Sequence, residues 1–157
     1  MKIKNITLPQ APRQPVTTDD LFLGKKVILF GLPGAYTPTC STKQLPGYEA
    51  MFDMFQEKGI EEIICTSVND AFVMSNWFKD QDCHKVTWVA DGSGLLADEL
   101  GMLVKKDNLG FGVRSWRYAA VINNGIVEQM FAEEGIEDNH GEDPYEVSTP
   151  ENVYERL

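Results

Sequence analysis

The sequence has no long hydrophobic run. No apolar stretch approaches the roughly 18 consecutive residues that a membrane-spanning helix needs. Residues 1–8 contain two lysines with no apolar block behind them, so they do not resemble a signal peptide. We therefore expect a cytoplasmic protein with no membrane partner.

Positive charge is also scarce. The 14 lysines and arginines stand against 24 aspartates and glutamates, which gives a formal net charge of -10. Such a chain repels phosphate backbones, so we expect no nucleic-acid partner. Much of the acidity lies in residues 128–146, which we interpret as a solvated surface. The 157 residues, 43% apolar and 24% charged, are otherwise typical of one globular domain spanning 1–157.

Cysteine and histidine are few. Cys40, Cys65 and Cys83 are an odd number and contain no CxxC pair, which argues against a disulfide framework and against a thioredoxin-type disulfide oxidoreductase. A zinc site needs about four ligands, and only Cys83 and His84 lie close together. His84 and His140 form no catalytic triad, and no phosphate-binding loop or nucleotide fingerprint is present. We expect no metal and no bound cofactor, and the remaining question is which thiol is reactive.

The order of apolar patterns predicts an α/β protein. Short apolar runs indicate buried strands, apolar residues every three or four positions indicate helices, and two β runs around Asn123-Asn124-Gly125 predict a hairpin. A capping-box pattern from Ser148 to Glu151, with Pro150 in the first turn, predicts a last helix. The predicted strands are 26–31, 60–68, 86–90, 117–122 and 126–132, and the other predicted helices are 41–58, 71–80 and 95–100.

This order predicts a central mixed sheet flanked by helices on both faces, as in a thioredoxin-like fold. Other α/β folds share the pattern.

The segment from Gly31 to Ser41 is a loop of restricted shape between a predicted strand and a predicted helix. Pro38 suits the first turn of a helix, so Cys40 falls in or near that turn. Free backbone N–H groups and the helix dipole there favour a thiolate over a thiol. The alternative from position alone is a small buried cysteine beside a loop.

The segment also resembles a known active-site signature. Pro33-x-x-x-Thr37-x-x-Cys40 is similar to the signature of the peroxiredoxins, and the fuller string from Pro33 to Ser41 resembles their type-5 branch. The similarity continues in family order over nearly the whole chain, at residues 45–48, 67–70, 90–92 and 117–122.

The resemblance implies a thiol peroxidase that reduces hydrogen peroxide and small organic hydroperoxides. In that family pattern Cys40 attacks the peroxide as a thiolate and becomes a sulfenic acid. The Thr37 hydroxyl hydrogen-bonds the peroxide, Arg117 holds the thiolate and the polarised peroxide, and Pro33 packs over the sulfur. Arg114 is a rival for the role of the cation. A peroxide sensor that relays oxidation to a partner protein, or a non-catalytic binding module, remains an alternative.

The same resemblance raises the question of how the sulfenic acid is reduced. Residues 132–157 lack the resolving cysteine of animal-like type-5 members. Residues 141–148 resemble bacterial members fused to a glutaredoxin domain, which points to a one-cysteine cycle with glutathione and glutaredoxin as reductants, with thioredoxin as the alternative reductant. Cys65, 25 residues after Cys40, matches plant-type spacing, but its buried strand favours a structural role. Cys83 is expected to be a bystander.

The family usually forms homodimers. Three aromatic side chains are candidates for such an interface or for the core: Tyr36, Phe78 and Trp116.

Overall fold

A computed structural model describes residues 1–157 and contains a central mixed sheet between two layers of helix. The strands are β1 (Thr7–Leu8), β2 (Val16–Thr17), β3 (Lys26–Leu32), β4 (Glu62–Ser67), β5 (Thr87–Ala90), β6 (Leu103–Lys105), β7 (Val113–Ser115), β8 (Tyr118–Asn123) and β9 (Ile126–Ala132). The α-helices are α1 (Thr18–Phe22), α2 (Leu45–Glu57), α3 (Ala71–Asp80), α4 (Leu95–Glu99) and α5 (Pro150–Glu155). Short π- and 3-10 segments cover Cys40–Gln44 and Asp107–Leu109.

The central sheet has five strands in the order β5-β4-β3-β8-β9. β3, β4 and β5 run parallel, whereas β8 is antiparallel to β3 and β9 is antiparallel to β8. β3 lies in the middle of the sheet and is buried from Val27 to Leu32. A strand buried on both faces has a continuous apolar run rather than an alternating one, which is the pattern that residues 26–32 show. The predicted mixed sheet is confirmed.

Alternate residues of β3 enter two separate cores. Phe30 packs in a cluster with α2, α3 and α5, which includes Tyr48 and Trp77. Leu29 packs on the opposite face in a cluster with α1 and α4, which includes Trp116. Helices therefore cover both faces of the sheet, as predicted. The longest helix, α2, has 13 residues, and no helix is long and apolar enough to cross a membrane.

The helix predicted over 41–58 begins differently from the expectation. Its first segment, Cys40–Gln44, is a π-helix, in which the Leu45 N–H donates to the carbonyl of Cys40 five residues back. Pro46, the second residue of α2, has no N–H to donate back into this segment, which disfavours a regular α-helical turn at this point. The wider turn places Cys40 ahead of a continuous α2.

The predicted capping box at Ser148 is wrong by one residue. Thr149 is the N-cap of α5, and its hydroxyl accepts from the Asn152 N–H. Ser148 is fully buried, and its hydroxyl donates to Glu133 at 2.6 Å. The Ser148 side chain therefore makes a tertiary hydrogen bond instead of the N-cap hydrogen bond that the local pattern predicted.

Two small hairpins were not predicted. β1 pairs with β2 before α1, and β6 pairs with β7 with Leu103 opposite Ser115. Strands of two or three residues are too short to show an alternating pattern. The β6–β7 hairpin has a functional consequence, because it leads directly into Trp116 and Arg117 at the edge of β8.

The close approach of Gly31 and Tyr118 gives a stability prediction. A Cβ at Gly31 would lie 2.2 Å from Cε1 of the Tyr118 ring on β8, and Tyr118 is fully buried. We expect Gly31→Ala to lower the free energy of unfolding by about 1–3 kcal/mol, as overpacking does. Gly141→Ala, where a Cβ meets no atom within 4 Å, should change it by less than about 0.5 kcal/mol. Urea unfolding of both variants would contradict this reading if Gly31→Ala were as stable as the control.

Candidate active site

Cys40 lies at the start of the helical segment that follows the loop after β3. The turn before it is closed by the N–H and the hydroxyl of Thr37, which both donate to the carbonyl of Gly34, at 3.3 and 2.7 Å. The Ser41 N–H then donates to the Thr37 carbonyl at 3.0 Å. Cys40 itself is 0% exposed. The predicted position of this cysteine at a helix start is confirmed, and its sulfur faces the protein interior.

Arg117 approaches Cys40 from the other side of the site. It stands between β7 and β8, and its Nη2 donates to Cys40 Sγ at 3.3 Å across 77 residues of sequence. The residue is only 2% exposed. A guanidinium is charged at any physiological pH, so a permanent positive charge lies within hydrogen-bond distance of the sulfur. The structure thus brings together the cysteine and the arginine that the sequence motif singled out.

Arg117 makes four further hydrogen bonds. Its Nε donates to Gln44 Oε1 at 2.8 Å, and its Nη1 donates to Asp143 Oδ1 at 2.5 Å and to the Pro144 carbonyl at 3.0 Å. Its Nη2 also reaches Asp143 Oδ2 at 3.3 Å. Burial alone would lower the pKa of Arg117, but the charge on Cys40 and the hydrogen bond and charge of Asp143 outweigh it, so the pKa is raised.

Gln44 is a site residue that the sequence analysis missed. It is buried in the π-helix, and its Nε2 donates to the Gly31 carbonyl at 3.2 Å. Because the amide nitrogen is held in this way, the amide oxygen is directed at Arg117. The available signal was its spacing of four residues from Cys40, which places both side chains on one face of a helix.

Residues 143–148 form a segment that lies over Arg117, and we call it the strap. Glu133 anchors the strap: its carboxylate accepts from the backbone N–H groups of Glu146, Val147 and Ser148 and from the Ser148 hydroxyl. The Tyr48 hydroxyl adds a bond to the Ser148 carbonyl at 2.6 Å.

The interpretation of residues 128–146 as a solvated acidic surface is confirmed for seven of the eight acidic residues, which are exposed, and Glu133 is the exception. Glu133 is only 2% exposed, and its buried carboxylate is satisfied by hydrogen bonds rather than by a cation. Asp143 forms an ion pair with Arg117. Two acidic residues of this run therefore organise the site. Sequence alone offers no signal for them, because their partners are distant along the chain.

Pro33, Thr37 and Arg114 lie on or against the loop that precedes Cys40. Pro33 lines a narrow crevice together with Lys106, Trp116, Arg117, Asp143 and Pro144. Arg114 does not bond Cys40; its Nη1 donates to the Pro33 carbonyl at 3.2 Å and its Nε donates to the Phe111 carbonyl at 3.2 Å. Burial lowers the pKa of Arg114, and the charge of Cys40 opposes that shift. Arg114 therefore fixes the loop, whereas Arg117 contacts the sulfur.

The other two thiols lie in different surroundings. Cys65 is fully buried in β4, paired with Phe30 and Trp88 on the neighbouring strands, and burial raises its pKa well above the ordinary value. Burial, with a smaller effect of Glu49 and Asp82, raises the pKa of Cys83 to about 12. All three cysteines are unpaired.

The two histidines pair with nearby carboxylates and do not contact Cys40. His84 bonds Asp82 and His140 bonds Glu137. No group of three or more metal-ligating side chains is present. Of the aromatic residues considered for an interface, Phe78 and Trp116 are buried core residues, whereas Tyr36 is 50% exposed.

A buried cysteine at a helix start, held by a permanent cation beside a mixed sheet with helices on both faces, defines a thiol-based redox protein of the α/β class. Comparison with known proteins identifies the family. The sequence model of the Redoxin family matches residues 1–147. The chain belongs to that family and is a peroxiredoxin, and hence a thiol peroxidase.

Individual relatives agree with this assignment. A peroxiredoxin of Rhizobium etli is 60% identical over 141 residues, which are 90% of this chain and 79% of the relative. The hybrid peroxiredoxin hyPrx5 of Haemophilus influenzae is 45% identical over 90% of this chain and 57% of its own length. The crystal structure of the Plasmodium falciparum antioxidant protein, a 1-Cys peroxiredoxin, superposes with a TM-score of 0.95 at 39% identity, covering 99% of this chain and 95% of the other. The predicted thioredoxin-like fold is confirmed.

The two arginines give a prediction that separates their roles. Arg117→Lys removes the planar fork that bonds Cys40, Gln44 and Asp143 together, so the rate of Cys40 oxidation by hydrogen peroxide should fall about 10- to 100-fold. Arg114→Lys, whose parent residue hydrogen-bonds only backbone carbonyls and makes no bond to Cys40, should slow it by less than about threefold. Stopped-flow measurement with stoichiometric peroxide checks both, and the reverse ranking would give the cation role to Arg114.

Proposed function

We propose that this peroxiredoxin reduces hydrogen peroxide and small organic hydroperoxides with Cys40 as the nucleophile. The observation that carries the proposal is the Arg117 Nη2 contact to Cys40 Sγ, at 3.3 Å in a buried pocket. The thiolate sulfur attacks one peroxide oxygen, an S–O bond forms, and the O–O bond breaks. The sulfur is oxidised to a sulfenic acid, and the departing oxygen takes a proton and leaves as water or an alcohol.

Thr37 and Pro33 are proposed to complete the site. The Thr37 hydroxyl donates its hydrogen to the Gly34 carbonyl, which leaves its oxygen lone pairs free to accept from the O–H of a peroxide. Pro33 lines the crevice next to Arg117 and has no N–H to attract water. Because Arg117 is only 2% exposed, its electrostatic effect on the charge that shifts onto the leaving oxygen is stronger than it would be in water.

The proposed cycle uses one cysteine. Residues 132–157 contain no cysteine, and Cys65 belongs to a strand hydrogen-bonded on both sides. Cys83 is only half-buried, but burial raises its pKa to about 12, so at neutral pH it stays a thiol rather than the nucleophilic thiolate. The Plasmodium falciparum protein, which is described as a 1-Cys peroxiredoxin, supports the same cycle.

Glutathione, with glutaredoxin, is the proposed reductant. The glutathione thiolate would attack the sulfenic sulfur and release water, and the resulting mixed disulfide would be reduced by glutaredoxin. The resemblance of residues 141–148 to glutaredoxin-fused members supports this choice, and so does the match to a relative named as a hybrid that extends beyond the matched region. Thioredoxin is the second choice.

A peroxide sensor is the alternative function, because it uses the same oxidation of Cys40 to a sulfenic acid. In a sensor the thiol of a partner protein, rather than glutathione, attacks the sulfenic sulfur, and either thiol must reach a sulfur that is 0% exposed in this structure. Turnover in the presence of reductant distinguishes the two functions.

Assembly and location complete the proposal. We place the protein in the cytoplasm, because three unpaired thiols suit a reducing compartment.

We propose a homodimer with Tyr36 at the contact, since this residue is half-exposed on the loop that precedes Cys40 and no other aromatic residue of that loop is available.

The nucleophile is tested by Cys40→Ser. The variant should consume no peroxide above the uncatalysed rate, because a serine hydroxyl is not oxidised by peroxide under these conditions. Cys83→Ser is the matched control and should retain full turnover, since Cys83 lies outside the site. Peroxide consumption with excess reductant measures both, and turnover by Cys40→Ser would remove the proposed mechanism.

The one-cysteine cycle is tested by Cys65→Ser with two reducing systems. We expect Cys65→Ser and wild type to turn over equally with glutathione plus glutaredoxin, because the proposed cycle does not use Cys65. If Cys65→Ser lost turnover but kept its first stoichiometric reaction with peroxide, Cys65 would be a resolving cysteine. Turnover with thioredoxin and its reductase alone would replace glutathione as the reductant.

A further inference from the structure

Every hydrogen-bond donor of Arg117 is already engaged. A guanidinium has five N–H groups. In Arg117 the Nε proton goes to Gln44, the two Nη1 protons go to Asp143 Oδ1 and the Pro144 carbonyl, and the two Nη2 protons go to Cys40 Sγ and Asp143 Oδ2. A peroxide oxygen that binds Arg117 must therefore replace one of these five acceptors.

Four of the five contacts are poor candidates for replacement. Cys40 is the nucleophile itself, and Gln44 is fully buried with its amide held by the Gly31 carbonyl. The two contacts of Nη1 are short, at 2.5 and 3.0 Å, and face away from the sulfur on the other arm of the fork. The remaining contact, from Nη2 to Asp143 Oδ2, is long at 3.3 Å and involves a side chain that is 49% exposed.

We propose that Asp143 is a positioning residue whose Oδ2 occupies the place of a peroxide oxygen and yields it to the substrate. Nη2 is the arm that also bonds Cys40, so an oxygen replacing Oδ2 would lie next to the attacking sulfur. Oδ1 keeps its bond to Nη1 during the exchange and holds the fork in its orientation. This inference rests on the proposed peroxide reduction by Cys40.

The strap explains why Asp143 stays at the site. Glu133 and Tyr48 hold Glu146, Val147 and Ser148 through five hydrogen bonds. The Pro144 carbonyl on Nη1 adds a contact next to the carboxylate itself. The carboxylate therefore needs only a small rotation of its free oxygen to release Nη2, with no movement of the backbone. Asp143 thus competes with the peroxide for the Nη2 donor of Arg117, while its other oxygen holds Nη1 in place.

Asp143→Asn separates the two functions of the carboxylate. The amide oxygen can still accept from Nη1, but the amide nitrogen that replaces Oδ2 cannot accept from Nη2. The N–H arm beside Cys40 then becomes free for peroxide. The matched control is Glu142→Gln, which removes the same charge from an exposed neighbour that makes no hydrogen bond to Arg117.

The measurement is the ratio of two rate constants for Cys40 in the full-length protein. One is for oxidation by hydrogen peroxide, and the other is for alkylation by iodoacetamide, which reports thiolate reactivity without needing the peroxide position. We expect this ratio to rise about fivefold or more in Asp143→Asn, as removal of a competing charge-assisted hydrogen bond would produce. In Glu142→Gln the ratio should stay within about twofold of wild type.

An unchanged or lower ratio in Asp143→Asn, or an equal rise in Glu142→Gln, would overturn the inference while the peroxidase reaction of wild type still stands. Absence of peroxide oxidation of Cys40 in wild type would instead overturn the proposed function, and the inference with it.

Discussion

The site depends on the burial of one guanidinium. A charged group removed from water is tolerated only when its hydrogen-bonding groups are satisfied, and Arg117 is 2% exposed with all five donors engaged. Two parts of the fold supply the acceptors: the π-helix provides Cys40 and Gln44, and the strap provides Asp143 and Pro144. A third part, the residue just before β8, is the arginine itself. Folding of these parts and assembly of the site are therefore the same event.

The strap depends in the same way on a second buried charged group whose hydrogen bonds must be satisfied. Its anchor, Glu133, is a buried carboxylate, and four hydrogen bonds from the strap are what make that burial tolerable. The N–H of Glu133 in turn donates to the carbonyl of Arg117 at 3.1 Å, and its carbonyl accepts from the Trp116 indole at 2.7 Å. Arg117 and Glu133, whose carboxylate holds the strap over Arg117, thus lie side by side across β8 and β9. Neither residue can move independently of the other.

Local sequence patterns predicted those parts of the molecule whose structure is decided locally. The apolar run at β3, the helical spacing of α3 and the Asn-Gly turn between β8 and β9 specify their elements, and the Pro38 turn predicts Cys40 at a helix start. Partners that are distant in sequence leave no periodic signal. Gln44, Glu133 and Asp143 act through such contacts, so none of them was predicted as a site residue, and the cap was assigned to Ser148. The pairing of Cys40 with Arg117 was predicted only because a family motif carries long-range information that spacing does not.

The surroundings of Cys40 also determine which thiol can reduce its sulfenic acid. Cys65 shares a core cluster with Cys40, but its backbone is paired with Phe30 on one side and Trp88 on the other, so moving it would break the ladder at the centre of the sheet. The Asp143 side chain, by contrast, is 49% exposed, and water can replace its contact with Arg117 when it moves. Moving the Asp143 side chain away from the site therefore costs less free energy than breaking the backbone pairing of β4. The proposed external thiol has a physically easier route to the oxidised sulfur than Cys65 does, and that route passes the Asp143 carboxylate.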